Sequence, residues 1–273
     1  MTTPKISTIS RGGSRFYVHP GDGAVKSPGV TSIIDMLPKG FLGPWNAKVV
    51  AEHAVNNLGE IVGLTLRNGP AGAVDFLKGA PRRDTAQAAD IGSQAHDLFE
   101  RMALGETITR VHPDLKGFVD AFGQFLKEFS PEFIHMEETV WSETHDYAGS
   151  FDAFAIIDGQ RVWIDYKTTR SGIHEEVGLQ LAAYRHAEYI IRPDGSRVPM
   201  PGAEGGAVLW IPNGHPEDWQ LVPIRCDEET FSYFLHLREI FRYEKEFKPS
   251  IIGKPLNKQA SAPKVRPTIR RAA

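Results

Sequence analysis

The sequence predicts an α/β protein, and three observations carry that expectation. Residues 85–104 place apolar side chains at helical spacing, through Ala95, Leu98, Phe99 and Met102. Residues 133–168 alternate as strands, with Asp158-Gly159 between β-prone runs in the manner of a two-residue type I′ hairpin turn. From residue 174 an Ala-rich helical segment returns, and further strands follow it.

In chain order, residues 15–18 read as a strand, and a helix starts near Thr31 and breaks between Pro38 and Pro44. A helix over 46–57 and a short one over 71–78 complete a mostly helical region, 1–84. Asp84 is placed to cap the helix of 85–104. A second helix, 115–129, is stopped by Ser130-Pro131. Strands are expected over 133–141, 147–157 and 161–168. A helix over 174–191 opens on Glu175 and Glu176, which favour the positive end of its dipole. A Pro/Gly-rich loop, 192–206, leads to strands at 207–211 and 219–224 with Asn213-Gly214 in the turn region, and Asp227 caps a last helix to about residue 247. The core then spans 85–250, and 251–273 reads as a basic, disordered tail.

The hairpin carries the chemistry. If Asp158-Gly159 is the turn, residue 157 faces 160, 154 faces 163, and Asp152 stands opposite Asp165. The period of two puts Lys167 on the face of Asp165, with Tyr166 behind. Opposed carboxylates repel unless something compensates, and a divalent cation does so. Asp152, Asp165 and a backbone carbonyl make the hard oxygen shell that suits Mg²⁺ or Mn²⁺, while Lys167 can act on an attacking water or on charge developing at a phosphate. A single Asp-x-Lys triplet is also what a solvated hairpin face carries. The triplet, the hairpin and the upstream Asp together favour the site. Gln180 and Tyr184 share a helix face, beside the metal or simply half-buried. His96 lies beside the apolar stripe of its helix, facing inward, as a ligand or as a core histidine. Glu100, one turn on, is either its hydrogen-bond partner or a surface charge.

Composition describes a soluble chain. Its 273 residues are 41% hydrophobic and 24% charged, enough for one sizeable core and a smaller appendage. No apolar run of membrane-spanning length and no signal-peptide core is present, and the single Cys226 forbids an internal disulfide, so a cytoplasmic protein is expected. The formal charge of −3 is unlike that of a basic nucleic-acid binder. Residues 254–273, however, hold six basic residues and no acidic one, which leaves −9 on residues 1–253. That tail is either a basic arm for DNA or a solubilising extension. Arg82, Arg83, Arg170 and Arg185 are candidates to line a positive groove in the acidic body. Trp141, Trp163 and Trp210 lie in strands as core or rim aromatics, or as surfaces on which a base stacks. Serine-hydrolase, zincin and P-loop motifs are missing.

In order, Gly149-x-x-Asp152, Asp165-x-Lys167 and Gln180-x-x-x-Tyr184 resemble the RecB-type nucleases of the PD-(D/E)XK superfamily. Gly92-Ser93-Gln94-Ala95-His96 is similar to the Gly-x-x-x-His helix of that family. The resemblance covers about residues 85–224. It extends more weakly to phage-encoded exonucleases through Pro28 to Ile34 and Pro44-Trp45. Phe151 stands where the superfamily name has proline, a departure tolerated in this branch. Cys226 alone excludes the four-cysteine iron-sulfur cluster of some relatives.

The resemblance implies a restriction-endonuclease-like core, a mixed central sheet flanked by helices, with an N-terminal helical region. It implies a Mg²⁺- or Mn²⁺-dependent deoxyribonuclease, an exonuclease of phage-type DNA recombination, repair or replication, working in the cytoplasm, the host's if phage-encoded. His96, Asp152, Asp165 and the Tyr166 carbonyl would ligate metal. Asp152, Asp165 and Lys167 would carry catalysis, with Gln180 and Tyr184 positioning substrate. DNA is the implied partner, with a recombination or single-strand-annealing protein beside it. A structure-selective endonuclease and a non-catalytic DNA-binding subunit on the same fold are the alternatives.

Overall fold

The computed structural model describes residues 5–253, so the basic segment 254–273 lies outside the described residues. The strand expected at 15–18 is one of three that come before the helices. β1 (Thr8–Arg11) and β2 (Ser14–Val18) form a hairpin through Gly12-Gly13, whose φ values of 56° and 77° suit glycine. β3 (Lys26–Pro28) pairs with β2, and α1 (Val30–Ile34) follows directly.

α2 (Leu42–Asn56) begins earlier than the sequence suggests and includes Pro44 in its first turn, where a missing N–H costs nothing. α3 (Leu58–Lys78) is longer than expected, with a kink at Gly69 (φ 72°) before Pro70. α4 (Ala80–Ala103) also starts before Asp84, since Pro81 in its first turn opens the helix and leaves Asp84 inside it. α5 (Pro113–Phe129) ends at Ser130, in the left-handed conformation, as Ser130-Pro131 leads one to expect.

Of the three strands expected here, the first two are each divided. β4 (Glu132–Met136) and β5 (Thr139–Ser142) flank one bend, and β6 (Tyr147–Ser150) and β7 (Ala153–Ile157) flank its counterpart. β8 (Gln160–Lys167) follows, then α6 (Glu176–Arg185). The helix expected to reach residue 191 stops short, and β9 (Tyr189–Ile191) pairs with β5 instead. Tyr189, Ile190 and Ile191 are β-prone, and sheet pairing overrides the helical run before them. β10 (Arg197–Pro199), β11 (Gly205–Trp210), β12 (Gln220–Ile224) and α7 (Glu228–Arg242) complete the chain, and the Asp227 side chain accepts from Thr230 N at 3.0 Å to cap α7 as expected.

Beyond the N-terminal sheet, β12-β11-β8-β7-β4 make a five-stranded sheet and β10-β9-β5-β6 a four-stranded one. The β8–β11 pair is parallel and the other pairs of the larger sheet are antiparallel, so that sheet is mixed and the fold is α/β. Strand alternation separates two cores. Phe154, Trp163 and Val208 join residues of α1, α6 and α7 on one face. Ala153, Ile164, Tyr166 and Leu209 meet α4 and α5 on the other, where Phe99, Phe122 and Phe125 are buried. Each such ring contributes about 1.5–3 kcal/mol by leaving water. A third cluster, including Tyr17, Trp141 and Tyr189, joins the N-terminal strands to the smaller sheet. Among the described residues no helix is long and apolar enough to cross a membrane.

Candidate metal-binding active site

Asp158 and Gly159 have φ values of 49° and 78°, the backbone a type I′ turn requires. Ile157 faces Gln160 and Phe154 faces Trp163, in the register counted from the sequence. β7 begins at Ala153 opposite Ile164, so Asp152 lies just beyond the paired segment, level with Asp165.

There the ribbon bends away into the smaller sheet. Glu137 N donates to Asp152 O (2.9 Å) and Phe151 N donates to Glu138 O (3.1 Å), keeping the two chains together through the corner. Their departure deprives the end of β8 of a neighbour on that side. Tyr166 N donates instead to Asp152 Oδ2 at 2.6 Å, so the carboxylate replaces a missing strand. A strand residue points its N–H and C=O to the same side, so the Tyr166 carbonyl faces this gap as well.

Across the gap stands α4. Gly92 brings it close to β8, since a Cβ there would lie 3.0 Å from Thr168 Oγ1. His96, one turn later, puts Nδ1 3.4 Å from Asp152 Oδ1. Ligand atoms of His96, Glu137 and Asp152 all lie within 4.8 Å of one another. One imidazole nitrogen and two carboxylates fit a divalent ion that takes hard donors, Mn²⁺ more readily than Mg²⁺ because of the nitrogen. Glu137 is 6% exposed and escaped the sequence reading. The sequence signal there is Glu137-Glu138, two acids interrupting an alternating strand, and the structure gives Glu137 a φ of +49°. Glu100 does not reach His96 but pairs with Lys5 Nζ at 3.0 Å.

Asp165 is not one of that close group. Its Oδ2 lies 2.6 Å from Lys167 Nζ, and its Oδ1 accepts from Gln180 Nε2 at 2.7 Å. Gln180 Nε2 also reaches Tyr184 Oη at 3.0 Å, and Gln180 Oε1 accepts from Lys167 Nζ at 3.4 Å. One amide on α6 thus ties the acid, the lysine and the phenol together. Gly149 lets Tyr184 approach, since a Cβ there would lie 2.7 Å from its Cε1.

Burial alone would drive His96 towards neutrality, but the charge and hydrogen bonding of Asp152 outweigh it and raise the imidazole above its usual value. Burial works against the Asp152 anion too, yet His96 and then Lys167 hold its carboxyl below the ordinary range. Asp165 is raised, chiefly by burial, with Asp152 adding to it and Lys167 opposing. Lys167 is raised as well, because the charges of Asp165 and Asp152 overcome its own desolvation, so the ammonium stays protonated. Burial keeps the Tyr166 and Tyr184 phenols neutral.

His96, Asp152, Asp165, Tyr166, Lys167, Gln180 and Tyr184 all line one cleft of about 330 Å³. The arginine in its wall is Arg15, whereas Arg82, Arg83, Arg170 and Arg185 do not line it. Arg83 instead bonds Phe76 O at 2.7 Å, and Arg185 lies beside Cys226. Trp141 and Trp163 are 1% and 0% exposed, so neither offers a face to a base, and Trp210 donates Nε1–H to Thr169 O. No family model matches the chain, and no curated protein matches it either.

Proposed function

We propose that this protein is a divalent-metal-dependent deoxyribonuclease of the RecB-like PD-(D/E)XK type, hydrolysing phosphodiester bonds of DNA. The observation that supports it is one cleft lined by His96, Asp152 and the Asp165–Lys167–Gln180–Tyr184 network, with a carboxylate oxygen of the buried Glu137 within 4.8 Å of the ligand atoms of His96 and Asp152. His96, Glu137 and Asp152 would hold the ion, with Asp165 and the Tyr166 carbonyl beside them. When bound, the ion supplies Lewis-acid neutralisation of phosphate charge and eases deprotonation of the attacking water.

Each residue of the chain has its own part. Lys167, kept cationic by Asp165, puts a fixed positive charge where negative charge grows on the phosphate. Gln180 fixes Asp165 in one orientation and thereby aims the ammonium. Tyr184 orients Gln180 and presents a neutral hydroxyl to the cleft. The preference for exonuclease action rests on the resemblance to phage-type enzymes.

Purified protein is expected to degrade linear DNA only when Mg²⁺ or Mn²⁺ is supplied. Lys167→Ala and Asp165→Ala should abolish degradation while the circular dichroism spectrum stays that of the wild type. Robust cleavage by either variant overturns the assignment. Comparison of linear, nicked and covalently closed circular DNA separates exonuclease from endonuclease, since only an endonuclease cuts the closed circle.

A further inference from the structure

The nuclease reading leaves one charge in the cleft unused. Arg15 lies on β2 of the N-terminal sheet, yet it lines the same cleft as Asp152, Asp165 and Lys167. Its backbone is fixed at both ends. Arg15 N donates to the buried Ser32 Oγ at 2.9 Å, and Arg15 O accepts from Gly29 N at 2.8 Å. Two residues along β2, the buried Tyr17 hydroxyl donates to Ser150 Oγ (3.2 Å) and accepts from Ser150 N (3.0 Å), which anchors this strand beside Asp152.

The guanidinium itself is uncommitted. Among the described residues its side chain has neither a hydrogen bond nor an ion pair, although the chain carries −9 over residues 1–253. Arg161, Arg192, Arg197, Arg225 and Arg238 each hold a carboxylate. An arginine held rigidly by its main chain, half-buried and turned to a cleft without a protein partner, keeps its fork of donors for an anion from outside. The Thr31 and Thr168 side chains share that wall and extend its polar surface.

Resting on the nuclease reading, we infer that Arg15 is the phosphate-binding arginine of the cleft, holding a phosphate of the DNA strand other than the one hydrolysed. Its chemistry is that of a planar guanidinium meeting two phosphate oxygens. The phosphate is either an internal diester or a terminal monoester, and both offer those oxygens. Arg15 acts by positioning the strand, leaving the charge at the reacting phosphate to Lys167.

The test uses the full chain with Mn²⁺ and a duplex labelled at one end. Arg15→Ala should raise KM roughly tenfold with little change in kcat and reduce the slope of log KM against log salt by about one, the signature of one lost phosphate contact. Arg15→Lys should restore the salt slope and only part of the KM, because it keeps the charge and loses the fork. Thermal midpoints should match the wild type, since the side chain has no hydrogen bond or ion pair among the described residues. Duplexes ending in phosphate or in hydroxyl separate the two sources. An equal penalty on both marks an internal diester, and a penalty confined to phosphate-ended DNA marks a terminal one. If the wild type cleaves DNA but Arg15→Ala keeps its KM and salt slope, the Arg15 inference falls and the nuclease stands. If the wild type cleaves no DNA with either metal, both fall.

Discussion

Replacing Gly149 by alanine tests how the site is built, through packing rather than chemistry. A Cβ at this position would lie 2.7 Å from Tyr184 Cε1, 2.8 Å from Val30 Cγ2 and 3.1 Å from Val30 Cβ. Ordinary carbon contacts are about 3.5–4.0 Å, so the neighbours must retreat by roughly 1 Å. They have little room, as Tyr184 is 2% and Val30 1% exposed. Overpacking of this kind costs about 1–3 kcal/mol, offset by about 0.4–1 kcal/mol from the restricted unfolded chain. The net loss, about 1–2 kcal/mol, should lower the thermal midpoint by about 2–8 °C in a chain of this size. Tyr184 would also drag on Gln180, and through it on Asp165 and Lys167, so DNA cleavage should fall further than stability does. Gly43 in α2 is the control, because nothing lies within 4 Å of its Cβ position. Gly43→Ala should stabilise the protein by about 0.5–1 kcal/mol. Thermal and urea melts of both variants supply the measurement. A Gly149→Ala protein as stable as the wild type refutes the argument that this glycine exists for the approach of Tyr184.

Two further outcomes follow from the site and its hairpin. The raised value of His96 means that its ion pair with Asp152 stabilises the metal-free protein fully below about pH 6.5 and that this contribution is lost as pH rises through the folded value, whereas a metal needs the neutral imidazole. The rise in thermal midpoint produced by Mn²⁺ should therefore be larger at pH 8 than at pH 6 and smaller in Glu137→Gln; a rise independent of pH would count against His96 as a ligand. Gly159→Ala forces a Cβ onto a residue with φ of 78° and should destabilise by about 1–2 kcal/mol in a urea melt, and an unchanged midpoint would remove the turn as the device that sets the register.

The hairpin was legible in the sequence because Asp158-Gly159 permits few backbone solutions and the period of two then fixes every partner. Asp152, Asp165 and Lys167 followed from it, and Gln180 and Tyr184 from their spacing of four on the next helix. The bends at 137–138 and 151–152 were not legible, since a strand that changes sheets keeps its alternation on both sides of the corner. Glu137 was lost with them. Its neighbour Glu138 pairs with Arg192 and His135, and nothing in two adjacent acids says which one turns inward. β9 was read as helix because its pairing partner, β5, lies 50 residues earlier in sequence. Of the N-terminal hairpin only the strand at 15–18 was legible; its partner β1 is short and mostly polar, although Gly12-Gly13 between them is a turn signal. Arg15 lies far in sequence from the motifs, and nothing in the strand at 15–18 says that it packs beside the hairpin of β7 and β8.

The bent ribbon has a consequence for how the molecule comes apart. Glu137 and Asp152 sit at the corner where one pair of chains crosses from the larger sheet to the smaller, and His96 belongs to a helix on the outer face of the larger. An ion gripped by all three, as proposed, would be a rivet through separate layers and would oppose the peeling of any one of them. Metal should therefore slow amide exchange in β5 and β6 as well as in β7, β8 and α4, merging what would otherwise be independently opening units into a single cooperative one.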